Sequence, residues 1–115
     1  KLIIRLETSE VTIPSYEGEM GILKDHISLI TFLRPGIISI KDQEKKYYVE
    51  EGTVEFSNNN LLILTSTASD LTDLNQNSIE DLLSHARSKL SDDQSSDKEK
   101  YLLSYKISTL KELSQ

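Results

Sequence analysis

The chain has 115 residues with 13 basic against 19 acidic side chains, a formal net charge of −6. That balance argues against nucleic acid as a partner, because binding to phosphates draws on clustered Lys and Arg, and the absence of cysteine excludes disulfides, thiolate zinc sites and thiol catalysis. No apolar run approaches the roughly 20 residues that span a bilayer and no signal segment opens the chain, so direct membrane insertion is not expected and any membrane association runs through a partner.

Short strands are predicted from Lys1 to about Ala68. Leu2 to Leu6 and Val11 to Ile13 come first. Gly18 and Gly21 then bracket a predicted turn around Glu19 and Met20, and Ile27 to Leu33 reads as the next strand. Pro35-Gly36 is a strong turn dipeptide, since Pro presets φ and Gly accepts a positive φ. Ile37 to Ile40, Lys46 to Val49, Thr53 to Phe56 and Leu61 to Leu64 follow, each rich in β-branched or aromatic residues and bounded by turn formers. Val54 and Phe56 alternate with Thr53, Glu55 and Ser57, one face buried and one wet. Asn58-Asn59-Asn60 supplies a hairpin turn because Asn tolerates the left-handed region. Leu61 to Leu64 is apolar on both faces, which predicts a central strand covered on both sides. Evenly spaced strands without intervening helices give an antiparallel sandwich or barrel.

Composition changes after Ala68. Ser69 to Ser78 is polar and reads as a linker. A helix is expected next, capped by Asn77 with Glu80 or by Ser78 with Asp81, with Ile79, Leu82, Leu83, Ala86 and Leu90 on one face. Glu80 and Asp81 in its first turn and Arg87 and Lys89 in its last complement the dipole. Ser91 to Ser96 breaks the helix, and Ser96 with Glu99 offers a capping box for a second one. Its apolar residues Leu102, Leu103, Ile107, Leu110 and Leu113 cover a broad arc. The predicted fold is an antiparallel, short-strand β-sandwich over residues 1–70, followed over 71–115 by a linker and a C-terminal α-helical hairpin.

Chemistry is sparse. His26 and His85 are the only imidazoles and fall in different modules, so neither a metal site nor a Ser/His/Asp arrangement is expected. No GxxxxGK[ST] phosphate loop is present. No catalytic residue, cofactor or metal ligand is assigned.

One stretch carries more information than the rest. Ile13-Pro14, then EGEMGIL from Glu17 to Leu23, then an acidic residue before His26, then a hydrophobic strand closed by RPGII from Arg34 to Ile38, resembles the epsilon subunit family of the rotary F-type ATP synthase, counterpart of the mitochondrial delta subunit. EEGTVEF (Glu50 to Phe56), ILTSTA (Ile63 to Ala68) and two terminal helices extend the resemblance over most of the chain.

The resemblance implies a non-catalytic central-stalk subunit, a sandwich wedged between the gamma subunit and the c-ring and coupling them during proton-driven synthesis. It also implies a hairpin that regulates hydrolysis through the alpha and beta subunits. Glu19, Asp25 and His26 would touch the polar loops of the c-ring. The location implied is peripheral, at the cytoplasmic face of a bacterial inner membrane or the matrix face of the mitochondrial one.

Three departures qualify this. Lys24-Asp25 stands where Pro-Gly is frequent, and Ile27-Ser28 where Ala-Pro is frequent. Only Glu7 to Glu10 joins the first strand to VTIP, where the family has a longer connection and another short strand; the opening Lys1 likewise reads as a trimmed start. The family's ATP signature, Ile or Leu then Asp, two variable residues and Arg-Ala, aligns from Ile79 with Glu80 for Asp and Leu83 for Arg, so weak ATP binding is expected because leucine cannot replace a guanidinium at a phosphate. The rival reading is a free-standing β-sandwich that binds a small ligand or peptide under a helical lid.

Overall fold

The computed structural model describes residues 2–6, 10–23 and 25–114. It divides into two compact units, one ending at Leu71 and the other beginning at Thr72.

The first unit is a single nine-stranded, antiparallel sheet folded over on itself. Its strands are β1 (Leu2–Leu6), β2 (Glu10–Ser15), β3 (Gly18–Leu23), β4 (Leu29–Leu33), β5 (Gly36–Ile40), β6 (Lys45–Val49), β7 (Gly52–Ser57), β8 (Asn60–Thr65) and β9 (Ser69–Asp70). Hydrogen bonding runs β1-β8-β7-β4-β2-β5-β6-β9, with β3 on the other edge of β2. The strand β2 is where the sheet turns over. Along one edge it pairs first with β5, through Val11 and Thr12, and then with β4, through Ser15.

Pro14 sits at that change of partners. Its carbonyl accepts from Arg34 N at 3.0 Å, and having no N–H it leaves no donor unpaired where the neighbouring strand changes. Gly36 opens β5 directly over it: a Cβ there would lie 2.5 Å from Pro14 Cβ. The sequence suggested that this glycine supplies a positive φ, but Gly36 has none. It is needed for close approach.

The folded sheet encloses one apolar core, in which Val11, Ile13, Ile22, Leu33, Ile38, Ile40, Val49, Val54, Phe56, Leu61 and Ile63 are all buried. Between β7 and β8 the turn forms as the sequence predicts. Asn58 and Asn59 have φ of 51° and 64°, the pair of left-handed residues a two-residue hairpin requires.

Other expectations are corrected. Gly18 to Leu23 is not a turn; it pairs with β2 along its whole length, from Ser15↔Gly18 to Glu10↔Leu23. The turn lies earlier, at Tyr16-Glu17, where Ser15 Oγ donates to Gly18 O at 2.7 Å and accepts from Glu17 N at 3.2 Å. The tetrad Gly-Glu-Met-Gly looks like a loop locally, yet a neighbouring strand supplies its hydrogen bonds. Part of the predicted linker is also strand, since Ser69 and Asp70 pair with Tyr48 and Tyr47. β8 lies between β7 and β1 but is covered on one face only: Leu61 and Ile63 are buried while Leu62 and Leu64 are half-buried. The short connection of Glu7 to Glu10 lies, at 7–9, outside the described residues.

The second unit is a helical hairpin, α1 (Gln76–Leu90) and α2 (Asp97–Leu113). Asn75, not Asn77 or Ser78, caps α1, accepting from Ser78 N at 2.8 Å. Glu80 and Asp81 therefore fall in the second turn, beyond the strongest part of the dipole. α2 has the expected capping box between Ser96 and Glu99. The helices bury Ile79, Leu83 and Ala86, and Leu103, Ile107 and Leu110, whereas Leu82 is half-buried and Leu90 exposed. Gln76 Nε2 donates to Ser114 O at 3.4 Å, so the start of one helix meets the end of the other.

Two outcomes follow from these contacts. Gly36→Ala should lower the urea-unfolding free energy by about 1–3 kcal/mol, the usual effect of overpacking, while Gly21→Ala, whose Cβ would meet nothing within 4 Å, should leave it within about 0.5 kcal/mol.

The second concerns Tyr48. Burial raises the pKa of its phenol, helped by the charge of Glu50 and by the hydrogen bond to Glu50 Oε2 at 3.1 Å. In the unfolded chain the group ionises near about 10, so its contribution is complete below that pH. Above it the unfolded state gains the charged form first and stability falls. Denaturation midpoints measured from pH 9 to 11 should decline in the native chain and decline less in Tyr48→Phe.

Candidate functional site

The alternation of β4 decides which side chains remain available to a partner. Thr31 and Leu33 point into the sandwich and are buried, with Leu29 packed against its core. Ile30 and Phe32 point outward, 75% and 60% exposed. Register extends this outer face: Ile30 lies opposite Glu55, which lies opposite Leu62, and Phe32 lies opposite Thr53, which lies opposite Leu64.

Tyr16 adjoins from the β2–β3 turn, its N–H donating to Phe32 O at 3.0 Å. The two rings stand edge to face with centroids 6.5 Å apart. Tyr16, Phe32, Leu64, Thr53, Glu51 and Ser66 line one groove on this face. Ile30 and Phe32 are large side chains left in water, and covering such a residue is worth about 1.5–3 kcal/mol. A patch of this kind, rimmed by polar residues, marks a protein interface.

Reading the sequence missed this face. The signal available was the run Ile27 to Leu33, apolar at both parities of the strand rather than alternating. That pattern means two covered faces, and the fold covers one.

The three residues assigned to a c-ring contact do not form one patch. Glu19 is exposed and lies beside the β2–β3 turn, opposite Pro14. Asp25 and His26 follow the far end of β3. Glu19 is the second residue of the strand that ends at Leu23, so four strand residues separate the two sites, about 13 Å at 3.3–3.4 Å per residue.

At the Glu19 end the carboxylates of Glu17 and Glu51 are also exposed. Glu51 accepts from Ser66 N at 3.1 Å and from Ser66 Oγ. At the other end His26 is held in place: its N–H donates to Leu23 O at 3.0 Å, Nδ1 bonds Ile27 O at 2.7 Å, and its ring stands edge-on to Phe56. Among the described residues no group of three or more His, Asp or Glu is placed to hold a metal ion, and no helix is long and apolar enough to cross a membrane.

A shallow groove along α1 is lined by Glu80, Leu83, Ser84 and Arg87, with Gln76 and Ser114. It bears on the ATP signature. Aligning from Ile79 puts Leu83 at the arginine position, but a register starting at Leu83 keeps an arginine there as Arg87, with Ser84 in place of Asp and Ser88 in place of Ala. Helical spacing brings Ser84 and Arg87 to one side of the helix.

The chain is thus of the class that joins a folded-over antiparallel sheet, with an exposed apolar strand face, to a capped helical hairpin. Comparison with known proteins makes this particular. Residues 1–70 match the family described as ATP synthase, Delta/Epsilon chain, beta-sandwich domain. The ATP synthase epsilon chain of Pelagibacter ubique is 50% identical over 109 residues, covering 93% of this chain and 84% of that one. The mitochondrial ATP synthase subunit delta of Schizosaccharomyces pombe is 34% identical over 90 residues, covering 75% of this chain and 54% of its own length.

Among solved structures, a chain in the Euglena gracilis mitochondrial ATP synthase assembly of OSCP, F1 and c-ring has the same fold, with a TM-score of 0.73 at 23% identity over 94% of this chain and 71% of that one. The chain belongs to the ATP synthase delta/epsilon family.

Replacing Ile30 and Phe32 together by Thr keeps strand propensity and removes the exposed apolar surface. The double variant should unfold within about 1 kcal/mol of the native chain, yet co-sediment with the synthase complex at least about tenfold less tightly. A large loss of stability with unchanged association would assign Ile30 and Phe32 to the fold instead.

Proposed function

We propose that this chain is a rotor subunit of the central stalk, coupling the gamma subunit to the c-ring during proton-driven ATP synthesis. The observation that carries the reading is the exposed face of Ile30, Phe32 and Tyr16 on a rigid, doubly layered sheet. A coupling that transmits torque needs two partner surfaces on a body that does not deform, and a sheet with one packed core and short turns is such a body.

The apolar face suits gamma, a continuous neighbour that covers it permanently. The carboxylate end, with Glu17 and Glu19, suits the polar loops of the c-ring, where charge sets orientation and encounter more than affinity. In this assignment Glu19 carries the c-ring contact while Asp25 and His26 organise the opposite end. The membership of F-type synthase families and the likeness to chains of assembled synthases support it. The location that accompanies it is peripheral, on the side of the membrane carrying the catalytic sector; the 50% identity to a bacterial epsilon chain favours the cytoplasmic face.

Regulation of hydrolysis by the hairpin through the alpha and beta subunits belongs to the same reading, with a condition attached. Leu103, Ile107 and Leu110 are buried here. An extended hairpin must cover them again elsewhere, because each exposed large side chain costs about 1.5–3 kcal/mol. The charge of α2 offers little steering, since Lys98, Lys100, Lys106 and Lys111 are offset by Asp97, Glu99 and Glu112.

Glu19→Lys tests the division of labour. Assembly onto the c-ring should weaken, and ATP-driven proton pumping fall, while ATP hydrolysis by the detached catalytic sector stays at its native rate. Unchanged pumping by the assembled variant would place Glu19 in solvent.

A further inference from the structure

Glu51, which lines the groove shared by Tyr16 and Phe32, is exposed and yet fixed. Its carbonyl accepts from Oγ1 of the buried Thr65 at 2.5 Å. Its carboxylate accepts from Ser66 N at 3.1 Å and from Ser66 Oγ, both through Oε1. A surface glutamate ordinarily spends its freedom over many rotamers, whereas this one is tied at the backbone and at one carboxylate oxygen. Among the described residues none donates to the other oxygen, Oε2. A carboxylate ordered in advance and left with an open acceptor is preorganised for a donor from outside.

The rings of the same groove favour a positively charged donor. Tyr16 and Phe32 stand edge to face at 65° and both are exposed, so π-surface remains uncovered. The face of an aromatic ring is its negative side, and it attracts a cation within about 6 Å of the centroid. Among the described residues that line the groove there is no lysine or arginine; Arg34, two positions beyond Phe32, is not one of them. The exposed carboxylate of Glu17, next to Tyr16, adds to the negative sign. A cation for this groove has to come from another molecule.

Chemistry selects arginine as its source. Lysine carries a strongly hydrated point charge, and an open groove does not strip that water. A guanidinium is planar and weakly hydrated, stacks on a ring, and keeps N–H groups in its plane for a carboxylate oxygen. With Oε1 already engaged, the match is one ring face and one oxygen.

We propose that the groove of Tyr16, Phe32 and Glu51 seats an arginine side chain of the protein that covers this face, its guanidinium stacked on an aromatic ring and bonded to Glu51 Oε2. The seat presupposes the reading of this face as a protein interface, but the groove belongs to the isolated chain, so the two can be tested apart.

The probe is a blocked glycine-arginine-glycine tripeptide, titrated into the full chain at physiological salt and followed by NMR. Peptides with citrulline, which keeps the shape and loses the charge, and with lysine are the controls. The arginine peptide should shift the signals of Tyr16, Phe32 and Glu51 saturably, with a Kd on the order of several mM, and its own Cδ protons should move upfield in the ring current. Citrulline should bind at least about tenfold and lysine about threefold more weakly. Glu51→Gln keeps an oxygen for Ser66, and Phe32→Leu keeps apolar bulk without the ring; each should weaken the arginine peptide about three- to tenfold, with amide signals outside the groove unchanged.

Equal binding of the arginine and citrulline peptides, shifts confined to other surfaces, or native affinity in both variants overturns the seat. Equal binding of the arginine and lysine peptides overturns the choice of arginine. Co-sedimentation with synthase depleted of this subunit tests the interface: Glu51→Gln should associate about three- to tenfold more weakly. Native association of Glu51→Gln alone overturns the role of the seat in that interface, and native association of the Ile30 and Phe32 double variant overturns the reading of the face as an interface.

Discussion

The close approach of Pro14 to Gly36 governs the architecture. A strand can keep one neighbour along its edge or change neighbours, and changing leaves a point where a backbone N–H has no partner. In β2 that point is filled by a proline, which has no N–H, and β5 can begin directly over the ring because position 36 lacks a Cβ. Everything downstream inherits this geometry. β5 and β6 take one side of the core, β4 and β7 the other, and the bonds from Arg34 N to Pro14 O and from Tyr16 N to Phe32 O fix how β4 leaves the corner.

From that corner the outer face acquires its character. Once the register of β4 on β7 and of β7 on β8 is set, Ile30 and Phe32 must point away from the core, because a pleated strand sends alternate residues to opposite faces. Leu62 and Leu64 join them through the same rule. The resulting surface is unsuited to a free protein and suited to a subunit, which is the sense in which family membership and physical chemistry agree. The helical hairpin stands on its own terms, with its own caps and buried apolar stripe, and is one of the two compact units.

Polar chemistry in this chain is organised at the ends of the sandwich rather than in a cavity. At one end Ser15 stitches the β2–β3 turn and Glu51 holds Ser66; at the other, Asp25 and Asn59 hold each other. These bonds order the loops beside the exposed carboxylates of Glu17 and Glu19.

What the sequence determined by itself was local. Alternation in Val54 and Phe56, the left-handed tolerance of Asn58 and Asn59, the capping box of Ser96 and Glu99 and the apolar stripe at Ile79, Leu83 and Ala86 are written in nearest neighbours along the chain, where propensity and periodicity act. The family resemblance was equally legible, because it rests on ordered short motifs. Tertiary structure alone decided the rest. β3 and β9 exist only because β2 and β6 offer them hydrogen bonds, which no propensity of Gly18 to Leu23 or of Ser69-Asp70 foretells. Gly36 serves packing and not φ, since its constraint is a residue 22 positions away. Glu19 and His26, seven residues apart in sequence, stand at opposite ends because a strand runs between them. And the exposure of Ile30 and Phe32 follows from register, a non-local quantity: an apolar strand reads the same whether its second face meets its own core or another protein.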